Sequence, residues 1–209
     1  MFEEAPGLPG ASQLLVALYG SQGRVGEATA RLEEAEAKGK LRPAARVLLG
    51  RLQAERGETA KARATFEAVL RSNPDLPLVK SDLAYLLALD GTDLERANEL
   101  ARDAQAALPD DPEVLDTLGY VELRRGNPAV ALVHFQRAAT LAEERGAPRA
   151  VHFYHLGLAH RAAGHNPSAV EAFDRALALE PDFPEAGRAH EERAQALAGG
   201  TRTPSLPRP

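Results

Sequence analysis

Four of the six histidines in this 209-residue chain fall between His152 and His165. Imidazoles gathered this densely could ligate a metal or move protons. His152 and His155 stand one helical turn apart and could share a face. A metal site wants a third ligand held rigidly nearby, and nothing at metal-ligand spacing supplies it. His152, His155, His160 and His165 are therefore expected to be packed or solvated, with no metal and no cofactor. The acidic pairs Glu33-Glu34 and Glu143-Glu144 have no base or nucleophile beside them and read as solvated faces. There is no cysteine, which removes a thiolate nucleophile, a disulfide framework and any Cys-containing zinc site. No Gly-rich phosphate loop follows a strand, because no stretch reads convincingly as a strand. No catalytic residue emerges, and the chain is not expected to be an enzyme.

The composition limits the rest. Hydrophobic residues make up 44%, enough for a core, but aromatics are only 5% and Trp is absent. That balance suits alanine-rich helix packing better than a sheet core of β-branched and aromatic residues. A net charge of −5 gives no electrostatic reason to propose nucleic acid as a partner. Apolar runs such as Leu14 to Tyr19 are far too short to span a bilayer, so no membrane insertion is expected. Met-Phe-Glu-Glu lacks the basic and apolar regions of a signal peptide. As written the chain is expected to be cytoplasmic, with a periplasmic or envelope location if it is a fragment.

The helical segments that must position any functional side chain recur with a period near 34 residues, so the chain reads as a repeat array. Residues 1–8, acidic and then rich in Pro and Gly, form a flexible leader. The repeats span residues 9–42, 43–76, 77–111, 112–149 and 150–183. A capping helix covers 184–198, and 199–209 is a disordered tail that includes a minimal PxxP core at Pro204-Ser205-Leu206-Pro207. In the first unit the inner helix holds Leu15, Val16 and Tyr19, Gly23 marks the turn, and the outer helix holds Ala28, Leu32 and Ala35. Gly39 then closes the outer helix as a residue past its C-terminus. The second unit carries Leu49-Gly50, Gly57, Ala62, Phe66 and Pro74. The third carries Leu83-Ala84, Gly91, Ala97, Ala101, Ala104 and Pro109, and Thr92-Asp93-Leu94-Glu95 reads as a capping box with Thr92 at the cap. The fourth has an outer helix expected to run through Glu144 to Gly146. The fifth has Phe153, Leu156-Gly157, Gly164, Ala169, Phe173, Ala176 and Pro181. Asn127-Pro128 and Asn166-Pro167 read as N-caps followed by a first-turn proline. The glycines allow close helix approach, and Phe66, Phe135 and Phe173 are expected to fill the space between one repeat and the next.

Leu118-Gly119, Ala131, Phe135 and Ala138 resemble the leucine-glycine, alanine, aromatic and alanine signature of a tetratricopeptide repeat. The resemblance covers residues 9 to 183. Departures are the missing Trp, Val16 and Ala84 where Gly is usual, and the charged Arg46 and Lys80 at a bulky position. The run Leu115-Asp116-Thr117-Leu118-Gly119-Tyr120, with Phe183-Pro184-Glu185-Ala186, is also similar to C-terminal repeats of bacterial tetratricopeptide proteins of exopolysaccharide and envelope assembly. The resemblance implies an all-α, right-handed α-solenoid of five helix pairs plus a capping helix. It implies a non-catalytic protein–protein interaction scaffold that binds a partner peptide or helix in a concave groove.

From the register, the groove should present Arg51, Asp82, Tyr85, Asp116, Tyr120, Arg124, Tyr154, Leu158 and Arg161. Tyr85 and Tyr120 are equivalent in adjacent repeats and Tyr154 lies close by in the next, so three phenols could form a ladder for a peptide. The alternative for these rings is packing between helices. Co-chaperone members of the family grip a C-terminal carboxylate with Lys and Asn, whereas the matching positions here hold Gln13, Ala17, Asp82, Asp116 and Thr117. That clamp is not expected. Two other functions fit the sequence: a self-associating assembly protein, or the interaction domain of a larger protein whose catalytic part lies elsewhere.

Overall fold

A computed structural model describes residues 25–199 of the chain. The leader, the first inner helix with Leu15, Val16 and Tyr19, Gly23, and the tail with its PxxP core from residue 200 onward lie outside the described residues. Among those described there are ten helices and no strand. They are α1 (Val25–Ala37), α2 (Pro43–Glu55), α3 (Thr59–Ser72), α4 (Pro77–Asp90), α5 (Leu94–Ala107), α6 (Pro112–Arg124), α7 (Pro128–Glu144), α8 (Ala150–Ala162), α9 (Asn166–Leu179) and α10 (Ala186–Leu197). The chain divides into two compact units, Met1–Leu86 and Leu87–Pro209, the division falling within α4.

Helix ends follow from local chemistry. Pro occupies the first turn of α2, α6, α7 and α9, where its missing N–H leaves no donor unsatisfied. The Asp111 carboxylate accepts from the backbone N–H of Glu113 at 3.0 Å and of Val114 at 3.1 Å, capping α6. The cap of α5 sits one residue later than the sequence suggests. Asp93, not Thr92, is the N-cap, at φ 51°, and its side chain accepts from Arg96 N–H. A left-handed Asp is tolerated because its short side chain bonds locally, and that shift moves the cap. Asn127 and Asn166 also differ from expectation. The Asn127 side chain donates to Glu122 Oε2 at 2.8 Å instead of capping α7, and α9 starts at Asn166 with His165 in the cap position. The last helix begins at Ala186, two residues beyond Pro184, because residues 181–185 form a turn that carries the buried Phe183. Gly146 follows α7 at φ +67°, a conformation that L side chains rarely adopt, and so ends the long fourth outer helix.

In the first unit, Leu32, Leu41, Ala45, Leu49 and Leu52 form a core between α1 and α2, with Ala35 and Leu48 packed against it. Gln53 is buried beside this core and stays satisfied. It donates to Glu33 at 3.3 Å and accepts from the Thr65 hydroxyl at 2.8 Å. Helix α2 packs on α3 through Gly50, where a Cβ would stand 2.6 Å from the Phe66 ring. The second unit repeats that device. A Cβ on Gly119 would meet the Phe135 ring at 2.8 Å, and one on Gly157 would meet Phe173 at 2.5 Å. Real Cβ contacts essentially never fall under 3.0 Å. Each phenylalanine thus seats primarily against the glycine of its own repeat. The expectation that these rings fill the space between repeats is corrected accordingly, although the Phe135 ring also lies 5.6 Å from His155 of the next repeat.

Phe135 is completely buried, so Phe135→Ala should cost about 3–5 kcal/mol. Gly119→Leu should destabilise as well, because even a Cβ there meets the Phe135 ring at 2.8 Å. A double-mutant cycle adds a sharper test: Gly119→Ala combined with Phe135→Leu should cost less than the two single losses summed, since the smaller side chain makes room for the methyl. Chemical denaturation of the four proteins checks this, and strict additivity would refute the contact.

Candidate functional site

The inner helices, α2, α4, α6 and α8, carry all nine residues singled out from the register. In the first unit Arg51 of α2 donates through Nε to Asp82 Oδ2 of α4 at 2.9 Å. The pair remains open to solvent, with side-chain exposures of 46% and 28%. Tyr85 lies one turn beyond Asp82 and is half-buried. Leu78, one turn before Asp82, is an exposed large apolar side chain. Leu78, Asp82 and Tyr85 stand at i, i+4 and i+7, one stripe of α4.

The second unit is different. Tyr120 and Tyr154 are each only 2% exposed, and Asp116 and Leu158 are buried too. The rings pack between successive helices. Tyr120 sits 5.0 Å from the His155 ring, and Tyr154 sits 5.6 Å from His155, 6.0 Å from Phe173 and 5.8 Å from Phe183. The expected exposed ladder of phenols is therefore corrected at these two positions, where the packing alternative describes the molecule. Burial pushes both phenols up, against the opposing Arg124 at Tyr120, and with Glu192 reinforcing it at Tyr154. Both rings stay neutral across the ordinary pH range.

The arginines of this unit are committed to the fold. Arg124 donates to Leu89 O at 2.9 Å, tying down an end carbonyl of α4, and reaches the Tyr120 hydroxyl at 3.5 Å. Its guanidinium lies so close over the turn that a Cβ on Gly91 would stand 2.9 Å from it. Arg161 pairs with Glu192 of α10 and donates to Gln195 at 2.7 Å. Burial pushes the Glu192 carboxyl up, with Arg161 holding it down in part.

Register reasoning missed an interlock between α6 and α8. His155 Nδ1 lies 2.7 Å from Asp116 Oδ2, with both side chains buried. One turn away, His152 Nε2 lies 3.3 Å from Glu113 Oε1, which also accepts from Arg149 at 2.9 Å. Burial would push Glu113 up, but His152 and Arg149 outweigh it and hold the carboxyl at about 2. Burial also pushes His152 down, and Glu113 with Asp116 reverses that to a net rise. The signal was present in the sequence. Two carboxylates three apart face two imidazoles three apart, and both pairs are separated by the same 39 residues. His160 is half-buried and His165 exposed, their rings 5.9 Å apart. Among the described residues no group of three or more His, Asp or Glu side chains is placed to hold a metal ion.

Comparison with known proteins bears directly on this arrangement of helix pairs. Two family models, both described as tetratricopeptide repeat, match residues 21–86 and 110–180. The chain is a tetratricopeptide repeat protein. A TPR repeat-containing protein of Pseudomonas aeruginosa is 31% identical over 87 residues, a match covering 42% of this chain and 15% of that relative. Among solved structures, a chain of the APC/C hetero-tetramer Cut9–Hcn1 superposes with TM-score 0.76 at 20% identity, over 91% of this chain and 37% of that one. A thermophilic TPR protein of Thermus thermophilus gives TM-score 0.70 at 20% identity, covering 94% of this chain and 99% of its own. At such identities the likeness establishes the fold, an all-α tetratricopeptide solenoid. No helix among the described residues is long and apolar enough to cross a membrane.

The burial of Tyr120 gives this tetratricopeptide array a clear test. Tyr120→Ala should cost about 3–5 kcal/mol, comparable to truncating Phe135. Tyr120→Phe should cost less, about 1 kcal/mol, because the ring stays packed and the loss is confined to the hydroxyl, which Arg124 reaches at 3.5 Å. Thermal unfolding of both variants checks it, and an unchanged midpoint for the alanine variant would show that the ring is not packed.

Proposed function

We propose that the chain is a non-catalytic scaffold that binds a partner protein, as an extended segment or a helix, along its inner helices. Tetratricopeptide repeats are in general protein–protein interaction modules, and the Cut9–Hcn1 neighbour is itself an assembly of different chains. The observation that carries the reading is the α2–α4 face of the first unit. There an exposed leucine, a solvent-open Arg51–Asp82 pair and a half-buried Tyr85 lie together. An apolar anchor beside an aromatic and an arginine is the composition of an interface hot spot. In the second unit, Asp116, Tyr120, Tyr154 and Leu158 would act from behind the surface by holding α6 and α8 in place. Arg124 and Arg161 would offer only their accessible edges.

A photo-crosslinking side chain placed at Tyr85, and separately at the exposed Val133 of α7, tests where a partner lies. Crosslinks to a different protein should form from position 85 and not from 133. Tyr85→Ala should then weaken that partner's binding by about 2 kcal/mol or more, with the melting temperature kept. Crosslinks from position 133 alone would overturn the proposed face. Crosslinks only to further copies of this chain would replace the scaffold reading with self-assembly.

A further inference from the structure

Burying a charged side chain is costly unless an opposite charge and hydrogen bonds compensate it. Helices α6 and α8 meet through four titratable side chains that are not required by the tetratricopeptide signature. Glu113 and Asp116 are one turn apart on α6, His152 and His155 one turn apart on α8, and each carboxylate touches the imidazole 39 residues on. His152 is 1% exposed and neither of its ring nitrogens makes a well-aligned hydrogen bond, so Nε2 meets Glu113 at 3.3 Å as a close charge contact; Asp116 Oδ1 likewise has no hydrogen-bond partner. The two carboxylates differ in one respect. Glu113 pairs directly with Arg149 as a second cation, whereas Asp116 pairs with His155 and acts on His152 and Arg149 through its charge.

We propose that Glu113 and His152, seated beside the buried Asp116–His155 contact, form an acid-tightened latch between the fourth and fifth repeats, whose grip increases as the pH falls through the histidine range. When the His152 imidazole is charged, its contact with Glu113 is an ion pair in a poorly solvated seam. When it is neutral, Glu113 loses that charge and keeps only Arg149 as a cation, and the joint between α6 and α8 weakens.

The direction of His152 agrees with this geometry. Its folded value is raised, so its contribution is complete below the unfolded value of about 6.5 and is lost as the pH rises through the folded value. Glu113 behaves in the opposite sense. Held at about 2, it stabilises above its unfolded value and loses that contribution only as the pH falls toward 2. Both contributions are therefore present together between about 4.5 and about 6.5.

The other groups around the seam do not reverse the sign. Tyr120 of α6 and Tyr154 of α8 stay neutral, Phe135 of α7 is apolar, and Arg149 stays charged. The Glu180 carboxylate, which follows α9, accepts from Ala150 N–H at 3.2 Å, and Arg188 and Glu192 of α10 act on the two phenols. Elsewhere, His134 and His160 are pushed down by burial and favour alkaline conditions. The raw stability profile therefore mixes opposing contributions, and the latch shows in the difference between wild type and a variant.

The test follows the histidine ring resonances of the full chain by NMR across pH, alongside urea unfolding at pH 6 and pH 8.5. In the wild type His152 should titrate above the ordinary histidine value, and Glu113→Gln should lower its midpoint. The stability gap between wild type and Glu113→Gln should be larger at pH 6 than at pH 8.5. His152→Gln should show the same narrowing, and as a neutral polar replacement it separates lost charge from lost shape. A wild-type His152 midpoint at or below the ordinary value would overturn the latch. So would a Glu113→Gln gap equal at both pH values, which would mean that these side chains only fill space. Should Glu113→Gln fail to fold, the wild-type titration and the His152→Gln gap decide the matter alone.

Discussion

The seating of a phenylalanine ring on a bare glycine backbone sets the spacing of the helix pairs. Gly50 and Phe66, Gly119 and Phe135, and Gly157 and Phe173 are each 16 residues apart, and each ring presses where a Cβ would otherwise stand. The contact fixes how closely the two helices of a repeat approach. It therefore fixes which residues fall inside the pair and which face the next one. Buried alanines at Ala62, Ala131 and Ala169 keep the opposing helix surface flat enough for that approach. The third repeat carries Ala84 and Ala101 at the equivalent positions, and the division between the two compact units falls inside that repeat.

Polar side chains then decide what each unit can offer to another molecule. In the second unit the charges on the inner helices are absorbed internally: Asp116 by His155, Arg161 by α10, Arg124 by the end of α4. In the first unit the Arg51–Asp82 pair forms at the solvent boundary, where an exposed ion pair contributes little to stability. Such a pair can be exchanged for a partner's charges at small cost. Buried pairs of the kind in the second unit cannot be exchanged so cheaply.

Most of the architecture was legible because repeat proteins encode it redundantly. Gly39, Gly146 and the first-turn prolines mark helix ends by backbone chemistry that works in any context. The residues misplaced were those decided by a neighbour. Periodicity put Tyr120 on the correct helix face, but its burial depends on His155, a residue 35 positions later that brings a wide ring to the seam. Tyr154 is closed over in the same manner by Phe183, which lies in a turn with no helical period to announce it. Asp93 took the cap from Thr92 because a left-handed backbone, invisible to pattern matching, shifted the register by one.

Within each unit, helices pack on their chain neighbours or on the next helix but one, as α6 does on α7 and α8. Closing such contacts requires only short loops, so the entropy lost before any contact forms is small. Topology of this kind folds quickly and can begin at more than one place along the chain. A helix pair such as α6–α7, with its glycine, ring and capped N-terminus all inside residues 111–146, has most of its own contacts available before α8 is made. Vectorial synthesis then becomes an advantage: the segment leaving the ribosome can bury its ring at once, and the apolar face waiting for its neighbour stays uncovered only for as long as that neighbour takes to emerge.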